Sequence, residues 1–276
     1  MMPPEDLRQA LPQLALAAAG RATLALSAVE LATMCSAVQM DALERLSAAE
    51  RWALLAAALM APYPVHFFEA LRACAGLKRL LPELDALFGV PQLCDGPDTL
   101  DVGEHQLRVV AECARSGLPL ALRFAALMHK LGMAGTPRDI WPSHYKHELR
   151  GHLALDRIAR RISVPLPMQA LAHLVIDECE RVHRASDMRA GPIAAMLERL
   201  QAQEQPERLE QLLSICTCDY AAYPGHSAAD YPKAPRLRRA LDAYTAIGVE
   251  GLSPDAALIA RAEAIARVLR SGASLR

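Results

Sequence analysis

At 276 residues and 53% hydrophobic side chains, the chain can bury one large core or two modest ones, which excludes a disordered or purely solvating protein. A formal net charge of −1 gives no general attraction to nucleic acid, so any affinity for RNA must come from local patches. Ala and Leu dominate the apolar fraction and aromatic residues make up only 4%, a balance that favours helix over sheet and predicts an all-α chain.

Seven cysteines (Cys35, Cys74, Cys94, Cys113, Cys179, Cys216 and Cys218) form an odd, scattered set, unlike the even framework of a small secreted domain. They point to a reducing cytoplasm. The start, Met1-Met2-Pro3-Pro4-Glu5-Asp6, lacks a basic segment ahead of the short apolar run from Leu14 to Ala19, so no export signal is read. No apolar run approaches the ~18 to 20 residues needed to cross a bilayer. A soluble cytoplasmic protein without membrane contact is expected.

Residues 5 to 61 read as several Ala- and Leu-rich helices, ending where Pro62 and Pro64 remove two amide donors. Phe67, Phe68, Leu71 and Cys74, then Leu80, Leu81, Leu84 and Leu87, form core faces of a second helical pair. The segment from Gly89 to Leu100, with Pro91, Gly96 and Pro97, reads as a loop and a domain boundary. A helix from Asp101 to Gly117 carries His105. The next, from Pro119, places Phe124, Leu127, Met128 and Leu131 on one apolar stripe and stops at Gly132.

A helix from about Ser143 to Ile162 aligns His144, His147 and Gly151 on one face, with His152 to the side. In the helix from about Pro167 to His183, His173, Asp177 and Glu180 share a face. Further helices carry Leu209, Leu212, Leu213 and Cys216 in register, and the last starts at Pro254 with Ser253 as its N-cap. Cys216 and Cys218 project about 200° apart on a helix, so they diverge, and no second cysteine pair completes a zinc site with them. There is no internal repeat, P-loop or dinucleotide fingerprint.

Seven of the nine histidines (105, 129, 144, 147, 152, 173 and 183) fall between residues 105 and 183. Imidazole is the commonest side-chain ligand for borderline divalent metals, and helical histidines with carboxylates from neighbouring helices build such sites in bundles. The opposing reading makes them half-exposed helix residues and hydrogen-bonded core histidines. Periodicity alone leaves both open.

The runs Phe67-Phe68-Glu69-Ala70-Leu71-Arg72, Leu80 to Pro91, Asp101-Val102-Gly103-Glu104-His105, Arg123-Phe124-Ala125-Ala126-Leu127-Met128-His129, Thr136-Pro137 and Trp141-Pro142 carry a family resemblance. It continues at Glu210-Gln211-Leu212 and Ala229-Asp230-Tyr231-Pro232. Over roughly residues 35 to 245 the chain resembles the C-terminal portion of bacterial CCA-adding tRNA nucleotidyltransferases that carry an HD domain. The resemblance implies a multi-helix HD-domain-like bundle with helical extensions at both ends. Residues 1–90 would be a neck-like helical region, 91–200 a degenerate HD-like domain, and 201–276 a helical tail. The family's nucleotide-adding chemistry resides in an N-terminal β-sheet head. About thirty helical residues precede the resemblance, too few for such a head, so this chain alone is not expected to add CCA.

The family's HD domain is a metal-dependent phosphohydrolase, and its motif reads His-Asp-Leu-Gly-Lys. Here it reads His129-Lys130-Leu131-Gly132-Met133. Lysine for aspartate removes an anionic ligand and adds a cation, which repels a unit positive charge at 4 Å by about 4 kcal/mol and a divalent ion by about double. Further along, the family's His-Asp is replaced by Cys179-Glu180. His105, His129, His144, His147 and Asp219 keep matching positions and form the implied, degenerate metal set.

Two functional expectations follow. In the first, the chain is a non-catalytic RNA- or phosphate-binding or interaction module, with Lys130 as a built-in cation and with tRNA or another RNA as ligand. Its basic candidates are Arg157, Arg160 and Arg161, then Lys233, Arg238 and Arg239, weighed against solvated helix faces with pairs such as Asp156 and Arg160. A separate head protein or a homodimer through the Ala-rich faces of residues 10–60 are the candidate partners. In the alternative, a phosphohydrolase of the 2′,3′-cyclic phosphodiesterase or phosphatase type uses His129, Lys130 and Asp177. Zn, Mn, Ni, Co or Mg is then held by histidines with Asp177, Glu180 or Asp219.

Overall fold

The computed structural model of the chain describes residues 4–94, 98–184 and 188–271. Among the described residues, fourteen α-helices and one two-stranded sheet form, as the composition predicts. The backbone divides into two compact units: residues 1–176 with 222–224, and residues 177–221 with 225–276. No helix among the described residues is long and apolar enough to cross a membrane.

The first unit begins with α1 (Pro4–Ala19), α2 (Ala28–Gln39) and α3 (Ala48–Met60). Ser27 and Ser47 open α2 and α3 through reciprocal caps: each hydroxyl accepts the amide of Glu30 or Glu50, whose carboxylate accepts the serine amide at 2.8 Å. Loss of such a cap costs about 1 kcal/mol. The expected break at the prolines is present, because Pro64 is the first residue of α4 (Pro64–Ala73), where a missing amide donor costs nothing. Phe67 and Phe68 are fully buried there, edge to face at 5.3 Å. The short helices α5 (Gly76–Leu80) and α6 (Pro82–Asp85) follow.

The stretch expected as a plain loop contains a small antiparallel ladder, β1 (Pro91–Leu93) on β2 (Thr99–Asp101), with Gln92 opposite Leu100. Pro91 is tolerated because it occupies the first position of its strand. Gly96 and Pro97 lie outside the described residues. The carboxylate of Asp101 caps α7 (Val102–Arg115) by accepting the Glu104 amide at 2.9 Å.

Helix α8 (Leu120–Met128) is almost wholly buried. Its Arg123 donates to the carbonyls of Leu59 (2.7 Å), Leu118 (2.6 Å) and Ala114 (3.4 Å), supplying donors to the exposed carbonyl ends of α3 and α7. α8 stops at Met128 rather than at Gly132, and residues Leu131–Gly135 form a 3-10 turn. Gly132 therefore is not a helix stop. It lies against the first turn of α9 (His147–Arg161), where an added Cβ would fall on the His147 carbonyl oxygen and 2.5 Å from the Gly151 nitrogen.

α9 also starts later than the periodicity predicts. His144 (φ 50°) and Lys146 (φ 58°) adopt left-handed backbone, so His144 stands outside the helix and does not share a helical face with His147 and Gly151. Arg150 of α9 locks this arrangement by donating to Gly132 O (3.1 Å), Thr136 Oγ1 (2.9 Å) and Tyr145 O (2.8 Å).

Helix α10 (Leu166–His183) follows, and the second unit contains α11 (Ala190–Arg199), α12 (Glu207–Ala221), α13 (Lys233–Ala246) and α14 (Pro254–Ser271). Ser253 Oγ accepts the Ala256 amide at 3.3 Å, and Pro254 is the first helical residue, as expected. α14 packs on α11 and α13, and its Arg261 reaches Glu198 at 2.7 Å and the Tyr244 hydroxyl at 2.8 Å.

The approach at Gly132 is backbone to backbone and cannot be relieved by a side-chain rotation. A Gly132→Ala variant is expected to lose roughly 3 kcal/mol or more. Urea unfolding measures this directly; a loss within error of zero would mean that the turn and α9 can separate freely.

Candidate functional site

The end of α8 places His129 and Lys130 side by side, at 4% and 6% exposure. His129 Nδ1 lies 2.7 Å from the Ala126 carbonyl, one turn back, and 3.2 Å from Gln106 Nε2 of α7. With Nδ1–H donating to that carbonyl, Nε2 is the lone-pair nitrogen. The Gln106 amide also donates to Ala126 O. Lys130 Nζ donates to Gln92 Oε1 of β1 at 3.2 Å and lies 5.5 Å from the centre of the Tyr223 ring. The ladder missed by pattern reading is thus what brings Gln92 to Lys130.

His144 occupies a relay of hydrogen bonds. Arg150 donates to Thr136 Oγ1, which lies 3.0 Å from His144 Nδ1, while His144 Nε2 lies 2.6 Å from the Pro91 carbonyl. One assignment satisfies every member: the Thr136 hydroxyl donates to Nδ1, and Nε2–H donates to Pro91 O. Both ring nitrogens are then engaged by a neutral imidazole. Burial lowers the His144 pKa below its ordinary value, and Arg150 and Lys130 push the same way against the Pro91 carbonyl.

His147 Nδ1 meets the His144 carbonyl at 3.2 Å, the same geometry that fixes His129. His105, fully buried on α7, lies against the Tyr223 ring at 4.3 Å. The structure thus gathers His129, Lys130, His144 and His147 around the 3-10 turn, with a ring nitrogen of each histidine on a backbone carbonyl. His152 and His173 form another pair, Nδ1 to Nδ1 at 2.6 Å, with Asp156 3.3 Å from His173. Asp156, expected to pair with Arg160, stands against His173 of α10.

Asp177, Glu180 and Asp219 belong to the second unit. Glu180 pairs with Arg184 at 3.0 Å, and buried Asp219 pairs with His183 at 3.0 Å. Burial opposes charging of His183, but the Cys179 sulfur and the Asp219 carboxylate favour it, and its pKa is pushed up to about 10. Among the basic candidates, Arg161 makes a two-point contact with Glu83 (3.1 and 2.6 Å), joined by Arg157 at 3.7 Å. Arg238 makes another with Glu210 (2.9 and 2.8 Å). Arg160 and Arg239 are exposed on α9 and α13, and Lys233 is half-buried.

Fold and site define an all-α protein in which a histidine and a lysine stand together at the end of a buried helix, braced by a glycine contact and a neutral histidine relay. Sequence comparison supplies the kinship. The chain is homologous to the C-terminal portion of the CCA-adding proteins. It is 37% identical over 227 residues to the Multifunctional CCA protein of Nitrosospira multiformis, covering 82% of this chain and 55% of that protein. It is 39% identical over 231 residues to the Multifunctional CCA protein of Cupriavidus necator (83% and 53%), and 42% identical over 216 residues to that of Ralstonia nicotianae (78% and 49%). The chain spans about half the length of these relatives. No family model matches it.

The neutral His144 has a consequence for acid stability. The unfolded chain takes up a proton near the ordinary value of about 6.5, whereas the fold holds His144 neutral to lower pH, so this contribution is present above that value and is lost as pH falls below it. A His144→Gln variant is expected to lose about 1–2 kcal/mol at neutral pH through broken hydrogen bonds. Its stability should then decline less steeply on acidification, by up to one proton's worth of slope. Urea unfolding at a series of pH values measures both, and parallel curves for variant and parent would contradict the assignment.

Proposed function

We propose that this chain is a non-catalytic module of the CCA-adding type that binds RNA, with tRNA the RNA indicated by its kinship, through helical surfaces rather than through an HD phosphohydrolase centre. The observation that carries the reading is Lys130. It stands where the resemblance sets the metal-binding aspartate, and it is buried with its ammonium on Gln92 Oε1. A cation there opposes a divalent ion where the family's dyad would hold one, and His144 would have to break its bond to Thr136 or to Pro91 to ligate a metal. The donor set at this turn does not fit the metal that the resemblance implies.

For RNA, the paired arginines Arg157, Arg161 and Arg238 are partly neutralised by Glu83 and Glu210. Exposed Arg160 and Arg239 are therefore the side chains best placed to meet phosphates, with Lys233 next along α13. The separate head protein and the homodimer remain the candidate protein partners.

A second reading has one observation in its favour. His129 and His147 both have Nδ1 on a backbone carbonyl, the arrangement that orients Nε2 towards a metal. A rearranged metal-dependent phosphohydrolase would use it.

The two readings separate in solution. The first expects no hydrolysis of 2′,3′-cyclic AMP or p-nitrophenyl phosphate with added Mn, Ni, Co, Zn or Mg, and tRNA binding that weakens with salt. Removing Arg160 and Arg239 together should lower the salt slope of tRNA binding by about 1 for each phosphate that these side chains neutralise in the parent. EDTA-sensitive turnover by the parent would sink the first reading. A Lys130→Asp variant that gains such turnover over an inert parent would identify Lys130 as the residue that silences the site.

A further inference from the structure

In the second unit, two adjacent stretches of helix bring three donor side chains together, with a carboxylate beside them. α10 offers Cys179 and His183, one turn apart, and α12 offers Cys216 and Asp219, three residues apart and so on one face. The thiols lie 3.5 Å apart, Cys179 Sγ is 3.6 Å from His183 Nε2, and Asp219 Oδ2 is 3.0 Å from the same nitrogen. The donor atoms of Cys179, His183 and Cys216 all fall within 4.8 Å of one another. Cys179, Cys216 and Asp219 are buried, at 4%, 0% and 2% exposure.

We propose that Cys179, His183 and Cys216 hold a thiophilic divalent cation, with zinc the occupant their chemistry selects and Asp219 beside His183 as a neighbouring carboxylate. Bonds of 2.3 Å to sulfur and 2.0–2.1 Å to nitrogen or oxygen set the ligand atoms of a tetrahedral zinc about 3.3–3.8 Å apart. The sulfur–sulfur and sulfur–nitrogen separations of 3.5 and 3.6 Å lie in that range. A disulfide, by contrast, would require the sulfurs to close to about 2.05 Å. Two thiolates and an imidazole favour zinc over the hard cations Mg and Mn.

The surroundings also suit a ligand histidine. The Tyr231 hydroxyl lies 3.3 Å from His183 Nδ1, so Nδ1–H can donate to the phenol oxygen and leave Nε2 for the metal. Loading the site releases the two thiol protons and the proton that His183 shares with Asp219, so binding strengthens as pH rises.

The test is cobalt titration of the full chain, stripped with chelator and kept in a phosphine reductant. About one equivalent of Co(II) is expected to produce sulfur-to-cobalt charge transfer in the near ultraviolet and the intense visible bands of tetrahedral cobalt, both bleached by equimolar zinc. Cys216→Ser and Cys179→Ser should each weaken binding by more than about tenfold. Cys35→Ser, at a thiol of α2 in the first unit, should leave the spectrum intact. Absence of the charge-transfer band in the parent would overturn the proposal whatever the variants do. So would a band that survives Cys216→Ser, a band lost in Cys35→Ser, or a Cys179–Cys216 disulfide that persists in the reductant. Hydrolytic inactivity has no bearing on this spectrum, so the proposed function and this site stand or fall separately.

Discussion

The contact between Gly132 and the first turn of α9 is the constraint on which the rest of the first unit depends. Two stretches of backbone meet there with no room for a Cβ, and Arg150 ties them by donating to Gly132, Thr136 and Tyr145 at once. Hydrogen bonds from a charged donor contribute about 1.5–3 kcal/mol each when buried, more than a single neutral pair. The effect is to fix both ends of the segment between α8 and α9. His129 and Lys130 enter it, His144 and His147 leave it, and neither pair can shift without disturbing the contact.

How much of this was legible in the sequence depended on whether a local pattern carried the information. The helical body was legible because Ala, Leu and regular apolar spacing dominate most segments, and the Ser253-Pro254 start followed from local chemistry alone. The serine-glutamate caps at Ser27 and Ser47 were also written locally, although apolar periodicity is blind to them. Gly132 could not be read correctly, because a glycine that ends a helix and one that admits another backbone look identical in sequence. The left-handed residues His144 and Lys146 were hidden for a related reason: tertiary contacts hold them there against their own preference.

The candidate site shows the same division. The histidine cluster and the lysine in place of aspartate were visible in the chain itself and in its family resemblance. Gln92 as the partner of Lys130 was not, since it arrives through a three-residue strand in a segment that reads as loop. The convergence of Cys179 and Cys216 was hidden too. Thirty-seven residues separate them, whereas the pair adjacent in sequence, Cys216 and Cys218, diverges on its helix.

Lys130 and His144 are linked through charge. A buried ammonium and the Arg150 guanidinium both disfavour a third positive charge, and both push His144 towards its neutral form. A neutral His144 can accept from Thr136 and donate to Pro91, whereas an imidazolium could only donate and would break the relay at Thr136. The cation at position 130 therefore does two things with one charge: it opposes a divalent ion beside His129, and it favours the tautomer that pins β1 to the turn before α9. An aspartate at 130 would reverse both effects, attracting a metal while making His144 easier to protonate. On this physical account the lysine is more than a missing ligand, because the surrounding hydrogen bonds are consistent with its charge.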